Sequence, residues 1–430
     1  DDDTGLANRA GLNNAMVETK MTIGKADKLA LFWIDLDRFK EVNDLLGHPV
    51  GDRVLIEIAR RLGQLGPEGS TISRFGGDEF VMFCPIDTSK DAARISSEIH
   101  AEIMRPISVD GDRLEVRASV GVALLPDNAA DADTLMQRAD LALYHAKVGG
   151  RAQTCFFNPS MTRDLVRRRE IEDELRTAIQ RDELSIFFLP IVVLETGKIR
   201  SFEARVRWFH PYIVELPPSE FIPVAEETGV ILTLGNWITS QAASIAAQWP
   251  EDVSLAVNLS PLQIRAPGAS LGIKSALQKA GLDPRRLTLE VTESLFIDDN
   301  HATGEFIEEL SEIGVQFALD DFGTGYSSLG YINSFPFRKI KVDRSFVSGA
   351  QVGRRSDAII RAVAEMGATL EMDIVAEGLE TIEQVQAVRA AGCNLGQGYY
   401  FSRAVPDYLA AMLLTQERES EAASRAALRA

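Results

Sequence analysis

Eight strand-like runs follow one another between residues 183 and 415, and this rhythm constrains the fold more than any other feature of the sequence. Helix-like stretches separate most of the runs, whereas the short turn LETGK joins the first two. The runs are almost continuously apolar at their centres, as expected for strands covered on both faces. This alternation predicts a β/α barrel. The runs are SIFFLPIV, SFEARVRW, SLAVNLS, LTLEVTE, VQFALDD, KIKVD, DIVAEG and LGQGYYF.

Polar side chains lie in or just after each of the last seven runs, at the end of a barrel that holds its active site. A single such residue could be a solvated strand cap. Several strands that each place an acid or an amide at the same end of the barrel favour a functional site. Their oxygen ligands, without Cys or His, favour Mg²⁺ or Mn²⁺ over zinc. Asp320 and Asp321 could bridge two ions that promote in-line displacement at phosphorus, while Lys341 orients the water or steadies the developing charge. The residues are Glu203, Asn258, Glu290, Asp320, Asp321, Lys341, Glu377 and Gln397.

The rest of the sequence divides where its composition changes. Residues 1–157 alternate helix patterns with strands, and they predict a first domain. The stretch RDLVRRREIEDELRTAIQRDEL is rich in charge, has apolar residues at helical spacing and lacks Gly and Pro, so it predicts a connecting helix over 158–182. The barrel is expected over 183–415, and the polar end at 416–430 is expected to be a fraying helix or disordered. The three clear strands of the first domain are predicted at 29–34, 79–84 and 115–124.

The stretch RFGGDEF, at 74–80, places two glycines and two carboxylates between short runs of strand formers. Two glycines at a strand junction are common in hairpin turns. A solvated hairpin tip is the simple interpretation of this stretch. The alternative is that Gly76 and Gly77 let a phosphate approach the backbone, while Asp78 and Glu79 hold a metal.

Composition narrows the class of protein and its compartment. There are 63 acidic and 45 basic residues, for a net charge of −18, which argues against binding a nucleic-acid polymer. The three cysteines are widely separated and form no CxxC pair, so we expect a reducing, cytoplasmic compartment. No apolar run is long enough to span a membrane, and no signal-peptide pattern is present. Because the chain starts without Met, we expect an upstream sensory segment, through which the full-length protein could be membrane-anchored.

At these motifs the chain resembles two known families. Residues 1–157 are similar to a GGDEF diguanylate cyclase domain in TGLANR, DLDRFKEVNDLLGHPVGD, RFGGDEF and ALYHAKVGGR. Residues 183–415 are similar to an EAL cyclic di-GMP phosphodiesterase domain in VNLS, LEVTES, DDFGTGYSSL, KVDRSF, VAEGLET and GQGYYFS. The resemblance implies an α/β and α+β fold class: a central, mostly antiparallel sheet flanked by helices, followed by a TIM-like (β/α)8 barrel.

For the first domain, the resemblance implies that two GTP molecules, one on each of two facing domains, condense to cyclic di-GMP, so a homodimer is expected. Lys147 and Arg151, four residues apart, are expected on one face of a helix, where they neutralise phosphate charge. The simpler alternatives are that Asp52 caps the helix DRVLIEIARRL and that both cations are solvated residues at a helix C terminus. The residues carried over are Asp35 and Asp78 for metal, Asn43 and Asp52 for guanine, Gly76, Gly77, Lys147 and Arg151 for phosphates, and Glu79 for deprotonating the 3′-hydroxyl.

For the second domain, the resemblance implies hydrolysis of cyclic di-GMP to linear pGpG, with two Mg²⁺ or Mn²⁺ ions per active site. Lys341 and Glu203 are the expected catalytic residues, and Lys341 would orient water or act as a general base. Arg207 would contact a substrate phosphate, Gln397 would support the site, and Glu380 would support the loop after Asp321. The metal ligands carried over are Glu203, Asn258, Glu290, Asp320, Asp321 and Glu377.

Three stretches depart from the family patterns. PEGS, at 67–70, replaces the Arg-x-x-Asp of the inhibitory product site, so simple product inhibition through that site is not expected. Arg205 stands where Leu is usual in the EAL triplet, where it could crowd the substrate or add a phosphate contact. Leu189 stands where Gln is usual. The hydrogen bond that the Gln side chain makes to the ligand is therefore absent, which should weaken ligand binding by about 1 kcal/mol. Two hypotheses therefore stay open: a bifunctional enzyme, and a receptor for GTP or cyclic di-GMP in which one domain regulates the other without full turnover.

Overall fold

The structure is a computed structural model, and it describes residues 1, 3–22, 28–109, 112–210, 215–296, 301–323, 330–347 and 353–427. The chain splits into two compact units, which are called here the sheet unit (Asp1–Arg167) and the barrel unit (Arg168–Ala430). In the part of the chain that is described, no helix has both the length and the apolar character needed to cross a membrane.

The sheet unit contains a five-stranded sheet with helices packed on both faces. The strand order is β2-β3-β1-β6-β7, and every pairing except β6–β7 is antiparallel. The elements are α1 (Arg9–Thr22), β1 (Lys28–Leu36), α2 (Phe39–Leu46), α3 (His48–Leu62), β2 (Thr71–Gly76), β3 (Glu79–Ile86), α4 (Ser89–Met104), β4 (Ile107–Val109), β5 (Asp112–Leu114), β6 (Ala118–Leu125), α5 (Ala132–Val148) and β7 (Thr154–Phe156). The predicted antiparallel sheet flanked by helices is confirmed.

The residues of β1 show why both faces of this sheet are covered. Phe32 and Ile34 point into one core, which also holds side chains of α3 and α4. Leu31 and Trp33 point into a second core, shared with α1 and α5. A strand that alternates between two apolar cores reads as a continuous apolar run, as this one does. The strand predicted over 115–124 begins three residues later than expected, since β6 starts at Ala118.

The barrel unit closes a ring of eight strands among the described residues, in the order β8 to β15, and β15 pairs back onto β8. Each of the eight predicted runs forms one of these strands. The ladders from β9 to β15 are parallel, whereas β8 is antiparallel to both of its neighbours because the turn LETGK reverses the chain. The elements are α6 (Pro159–Ala178), β8 (Leu184–Val193), β9 (Ile199–Trp208), α7 (Pro218–Glu227), α8 (Ile231–Ala246), β10 (Ser254–Asn258), α9 (Pro261–Ile264), α10 (Ala269–Ala280), β11 (Leu287–Thr292), α11 (His301–Glu312), β12 (Gln316–Phe322), α12 (Gly330–Ser334), β13 (Phe337–Val342), α13 (Arg354–Thr369), β14 (Asp373–Ala376), α14 (Ile382–Ala390), β15 (Leu395–Gln397), β16 (Val405–Pro406) and α15 (Asp407–Ala427).

Two helices occupy the segments predicted outside the domains. Helix α6 lies within the predicted connecting segment, and the chain passes from the sheet unit to the barrel unit inside this helix, after Arg167. Its Ile171, Leu175 and Ala178 are buried in the barrel unit's core. Helix α15 continues through Ala427, so the described part of the predicted polar tail is helical.

Candidate metal centre and nucleotide site

The barrel strands bring the predicted polar residues together at one end of the barrel. Parallel strands end at the same edge, so side chains from successive strands converge there. Four of the residues, Glu203, Glu290, Lys341 and Gln397, are at most 2% exposed. The positions are Glu203 on β9, Asn258 on β10, Glu290 on β11, Asp320 and Asp321 on β12, Lys341 on β13, Glu377 just after β14, and Gln397 on β15.

Lys341 lies at the centre of this cluster and contacts four carboxylates. Its Nζ is 2.8 Å from Glu290 Oε2 and from Glu377 Oε1, 3.2 Å from Asp320 Oδ2 and 3.4 Å from Glu203 Oε2. Burial acts to lower the pKa of Lys341, but the surrounding carboxylates outweigh burial and raise it well above its ordinary value. Buried carboxylates need counter-charges, and Lys341 together with Arg205, which pairs with Glu203, is too little for a cluster of five carboxylates.

The carboxylates of the cluster differ sharply in their pKa values. Burial acts to raise the pKa of Glu203, but the charges of Lys341 and Arg205 and two amide hydrogen bonds lower it to about 2. Burial raises the pKa of Glu377 to about 7, and it raises the pKa of Glu290 well above the ordinary range. Such crowding of acids is what a bound divalent cation would relieve.

The donor set fits divalent cations. One oxygen from each of Asp320, Asp321 and Glu377 lies within 4.8 Å of the others. Successive strand residues normally point to opposite faces, but Asp321 has a positive φ of 55°, which breaks the alternation and lets both aspartates serve one position. Asn258 Nδ2 donates to Glu203, which leaves its Oδ1 for a cation. Gln397 Oε1 is buried without a hydrogen-bond partner among the described residues, as expected for an oxygen that faces an ion or water.

A cavity of about 960 Å³ lies beside this cluster in the barrel unit. Arg207 lines it, pairs with Glu215 at 3.2 Å and stands 5.8 Å from the ring centre of Phe187. Arginines and an exposed aromatic ring suit an anionic ligand with planar groups. The Arg403 guanidinium, which also lines this cavity, lies 4.7 Å from the Tyr399 ring centre. The other lining residues include Leu189, Arg205, Arg344 and Tyr399.

Gly323, the residue that follows β12, is held by a side chain that the sequence interpretation missed. The backbone N–H of Gly323 donates to Glu293 Oε1 at 3.2 Å, and Glu293 is buried. Its place just after β11, in the motif LEVTES, was the available signal. Glu380 is exposed, and its backbone N–H donates to Gln384 Oε1. The loop that Glu380 is predicted to support continues through 324–329, outside the described residues, so that role stays a prediction.

In the sheet unit, the carboxylates gather where β1 ends. Asp35 lies opposite Glu79 of β3 and contacts Lys147 Nζ at 2.6 Å. Burial raises the pKa of both acids, and for Asp35 it outweighs the opposing effect of Lys147. The turn between β2 and β3 passes through Gly77, whose φ of 52° favours glycine.

The predicted guanine contacts share one cavity of about 500 Å³, which Asn43, Asp52, Gly77 and Asp78 line together. A Cβ at Gly51 would come within 1.9 Å of Asn43 Oδ1, so the absence of a side chain there admits Asn43. A Cβ at Gly76 or Gly77 would meet nothing within 4 Å, which leaves that turn open to a ligand.

One alternative and one expectation about the helices of the sheet unit are wrong. Helix α3 begins at His48 after the N-cap Gly47, so Asp52 lies inside the helix and does not cap it. Helix α5 ends at Val148 because Gly149 and Gly150 follow, so Arg151 lies beyond the helix and does not share a helical face with Lys147. Arg151 is exposed, with a φ of 61°. The next residue is held in place, since the Ala152 N–H donates to Asp37 Oδ2 at 2.9 Å.

Comparisons with known proteins agree with this division. The diguanylate cyclase GGDEF domain matches residues 1–153, and the EAL domain matches residues 172–404. An uncharacterized signaling protein of Caulobacter vibrioides is 41% identical over 94% of this chain and 50% of its own length. The bifunctional diguanylate cyclase/cyclic di-GMP phosphodiesterase MucR of Pseudomonas aeruginosa is 37% identical over 94% of this chain and 60% of its own length.

A solved phosphodiesterase structure matches just over half of the chain. The PaMucR phosphodiesterase in complex with c-di-GMP is 37% identical, with a TM-score of 0.53 over 55% of this chain and 98% of that one. The chain thus spans 50% and 60% of the length of the two curated relatives.

Proposed function

Because this chain belongs to the family of tandem GGDEF–EAL proteins, we propose that it is a bifunctional enzyme, which condenses two GTP molecules to cyclic di-GMP and hydrolyses cyclic di-GMP to pGpG. The observation that carries the proposal is the contact set of Lys341, whose Nζ lies within 3.4 Å of four of the five predicted carboxylate ligands. Such a set has little use in a structural module, since buried acids destabilise a fold unless cations compensate them.

In the barrel unit, Mg²⁺ or Mn²⁺ would be held by Glu203, Asn258, Glu290, Asp320, Asp321 and Glu377. When bound, the two ions would supply Lewis acidity at the phosphate and lower the pKa of the attacking water. Lys341 holds the carboxylates in one array and, as a charged donor, orients the water or steadies the developing negative charge. Arg207 binds a substrate phosphate, and Gln397 fixes the orientation of Glu203 through its 2.6 Å hydrogen bond.

In the sheet unit, Asp35 and Asp78 would hold the cations of the triphosphate, and Asn43 and Asp52 recognise guanine. Lys147 and Arg151 neutralise phosphate charge, and the open turn at Gly76 and Gly77 admits the nucleotide. Glu79 assists removal of the 3′-hydroxyl proton, since it lies beside Asp35 on the neighbouring strand. The reaction needs two such sites facing each other, so the working form is a homodimer.

The second candidate function is a nucleotide receptor with weakened hydrolysis. Two observations favour it: Arg205 contacts Glu203 directly, and the apolar Leu189 lines the cavity where the family usually has Gln. In this case the sheet unit binds GTP and regulates the barrel unit.

Reciprocal variants test the proposal. The purified chain with Mg²⁺ or Mn²⁺ is incubated with GTP or with cyclic di-GMP, and the nucleotides are separated by chromatography. We expect K341A to lose pGpG formation and keep synthesis, and D78A to lose synthesis and keep hydrolysis, each with an unchanged circular dichroism spectrum. If the parent chain binds both nucleotides and converts neither, the receptor is correct; if K341A still hydrolyses, the role of Lys341 is wrong.

A further inference from the structure

Arg205 occupies the position in front of Glu203 where a cation would bind. Its Nη2 atom lies 2.8 Å from Glu203 Oε1 and 2.9 Å from Oε2. A single positive nitrogen at almost equal distance from both oxygens stands where a carboxylate binds an ion. Asn258 Nδ2 and Gln397 Nε2 donate to the same carboxylate at 2.5 and 2.6 Å, so the chain itself satisfies both oxygens.

The carboxylates of Asp320 and Glu377 differ from that of Glu203 in their contacts with arginine. Among the described residues, no arginine lies within ion-pair distance of Asp320 or Glu377, which contact only Lys341 in this way. Together with Asp321 they can converge on one ion. The two ends of the acidic cluster therefore differ: one end is engaged by an arginine, and the other is shared with a single lysine.

We infer that Arg205 competes with a divalent cation for Glu203, so that the barrel unit binds its two cations with unequal affinity. This inference rests on the proposed metal-dependent phosphodiesterase. A guanidinium and a divalent ion cannot share one carboxylate at these distances without strong repulsion. Binding of the second ion therefore requires the arginine to leave Glu203.

The structure provides room for that movement. The Arg205 side chain is 41% exposed, although Glu203 is fully buried. Arg205 also lines the cavity of about 960 Å³, into which its guanidinium can rotate. Hydrolysis would then rise with divalent-cation concentration over a range set by Arg205, while a Leu at this position would impose no such restraint.

Direct cation binding tests the inference without turnover. Chelator-treated protein is titrated with Mn²⁺ in the absence of nucleotide, and free Mn²⁺ is counted by electron paramagnetic resonance. All variants carry D78N, which suppresses binding by the sheet unit. R205L and R205Q remove the competing charge, and R205Q serves if R205L does not fold. R207L is the matched control. It removes an arginine from the same strand, but this arginine pairs with Glu215 instead of Glu203.

In the chain that carries D78N alone, we expect two classes of Mn²⁺ site, and R205L and R205Q in the same background should lower the Kd of the weaker class roughly tenfold. R207L should change the Kd of either class by no more than about twofold, because Arg207 pairs with Glu215 and not with Glu203. An equal shift in R207L, or no shift in R205L and R205Q, would overturn the inference. Tighter Mn²⁺ binding without any hydrolysis would support the inference while refuting the phosphodiesterase, so the two failures are distinguishable.

Discussion

The two candidate sites differ in how far their lysines are enclosed: Lys341 in the barrel unit and Lys147 in the sheet unit. Among the described residues, Lys341 has a side chain that is 1% exposed and contacts four carboxylates, whereas Lys147 is 32% exposed and contacts one, Asp35. A closed ring of strands encloses its site from several sides, but a sheet presents its site at the end of one strand and one turn. The barrel site is thus assembled within one chain, and the sheet site is open enough to face a second copy.

We expect the largest effect when each of these two lysines is replaced by alanine and the free energy of unfolding is measured. Without divalent cations, K341A should lower the free energy of unfolding of the barrel unit by about 3 kcal/mol or more, since it leaves buried carboxylates without their partner. K147A, the matched control, should cost about 1 kcal/mol or less, because Lys147 is 32% exposed and water can reach the Asp35 carboxylate once the lysine is removed. Urea unfolding followed by tryptophan fluorescence measures this, since Trp208, Trp237 and Trp249 all belong to the barrel unit and only Trp33 to the sheet unit.

A similar decrease in the free energy of unfolding for K341A and K147A would contradict the contrast between an enclosed and an open site. The same unfolding experiment with added Mn²⁺ provides a second comparison of K341A with the parent. We expect the cation to stabilise K341A more than it stabilises the parent, because it replaces the missing positive charge.

A smaller effect is expected from G51A in the sheet unit. The new Cβ would lie 1.9 Å from Asn43 Oδ1, so Asn43 must move away from its place in the cavity. Loss of one guanine hydrogen bond should raise the KM for GTP about tenfold, with a smaller change in kcat. Hydrolysis of cyclic di-GMP by the same preparation is the internal control and should not change. An unaltered KM would refute the assignment of Asn43 to guanine.

The smallest expected effect lies away from both sites, on helix α3. Hydrogen bonds from Arg60 and Arg61 lower the pKa of Glu57 to about 2, from an ordinary 4.5. Folded protein therefore binds the proton less readily than unfolded protein, so the stabilisation is complete above pH 4.5 and is lost as the pH falls toward 2. Because the side chain is 30% exposed, we expect less than about 1 kcal/mol.

The Tm of E57Q, followed from pH 7 to pH 3, checks this effect. The deficit of E57Q relative to the parent should be greatest near pH 7 and should shrink at pH 3. A deficit that is independent of pH would show that the Glu57 charge contributes nothing to stability.

The sequence predicted the strands of the barrel and the convergence of its rim because both follow from periodicity. A run such as LTLEVTE has only one way to bury its apolar residues, and parallel strands fix where Glu290 must lie. The positive φ of Asp321 and the contact between Arg205 and Glu203 escaped prediction, since they depend on backbone conformation and rotamer choice. The helix end at Val148 was misplaced although Gly149 and Gly150 marked it, because the four-residue spacing of Lys147 and Arg151 suggested a longer helix.

We propose that one chain carries two separate sites with opposed reactions on one nucleotide. A time course of the parent chain with GTP and Mg²⁺, resolved by chromatography, tests it most directly. We predict that cyclic di-GMP appears first and that pGpG follows at its expense, whereas K341A accumulates cyclic di-GMP alone. Persistence of added cyclic di-GMP in the parent at saturating Mg²⁺ and Mn²⁺ would contradict the claim.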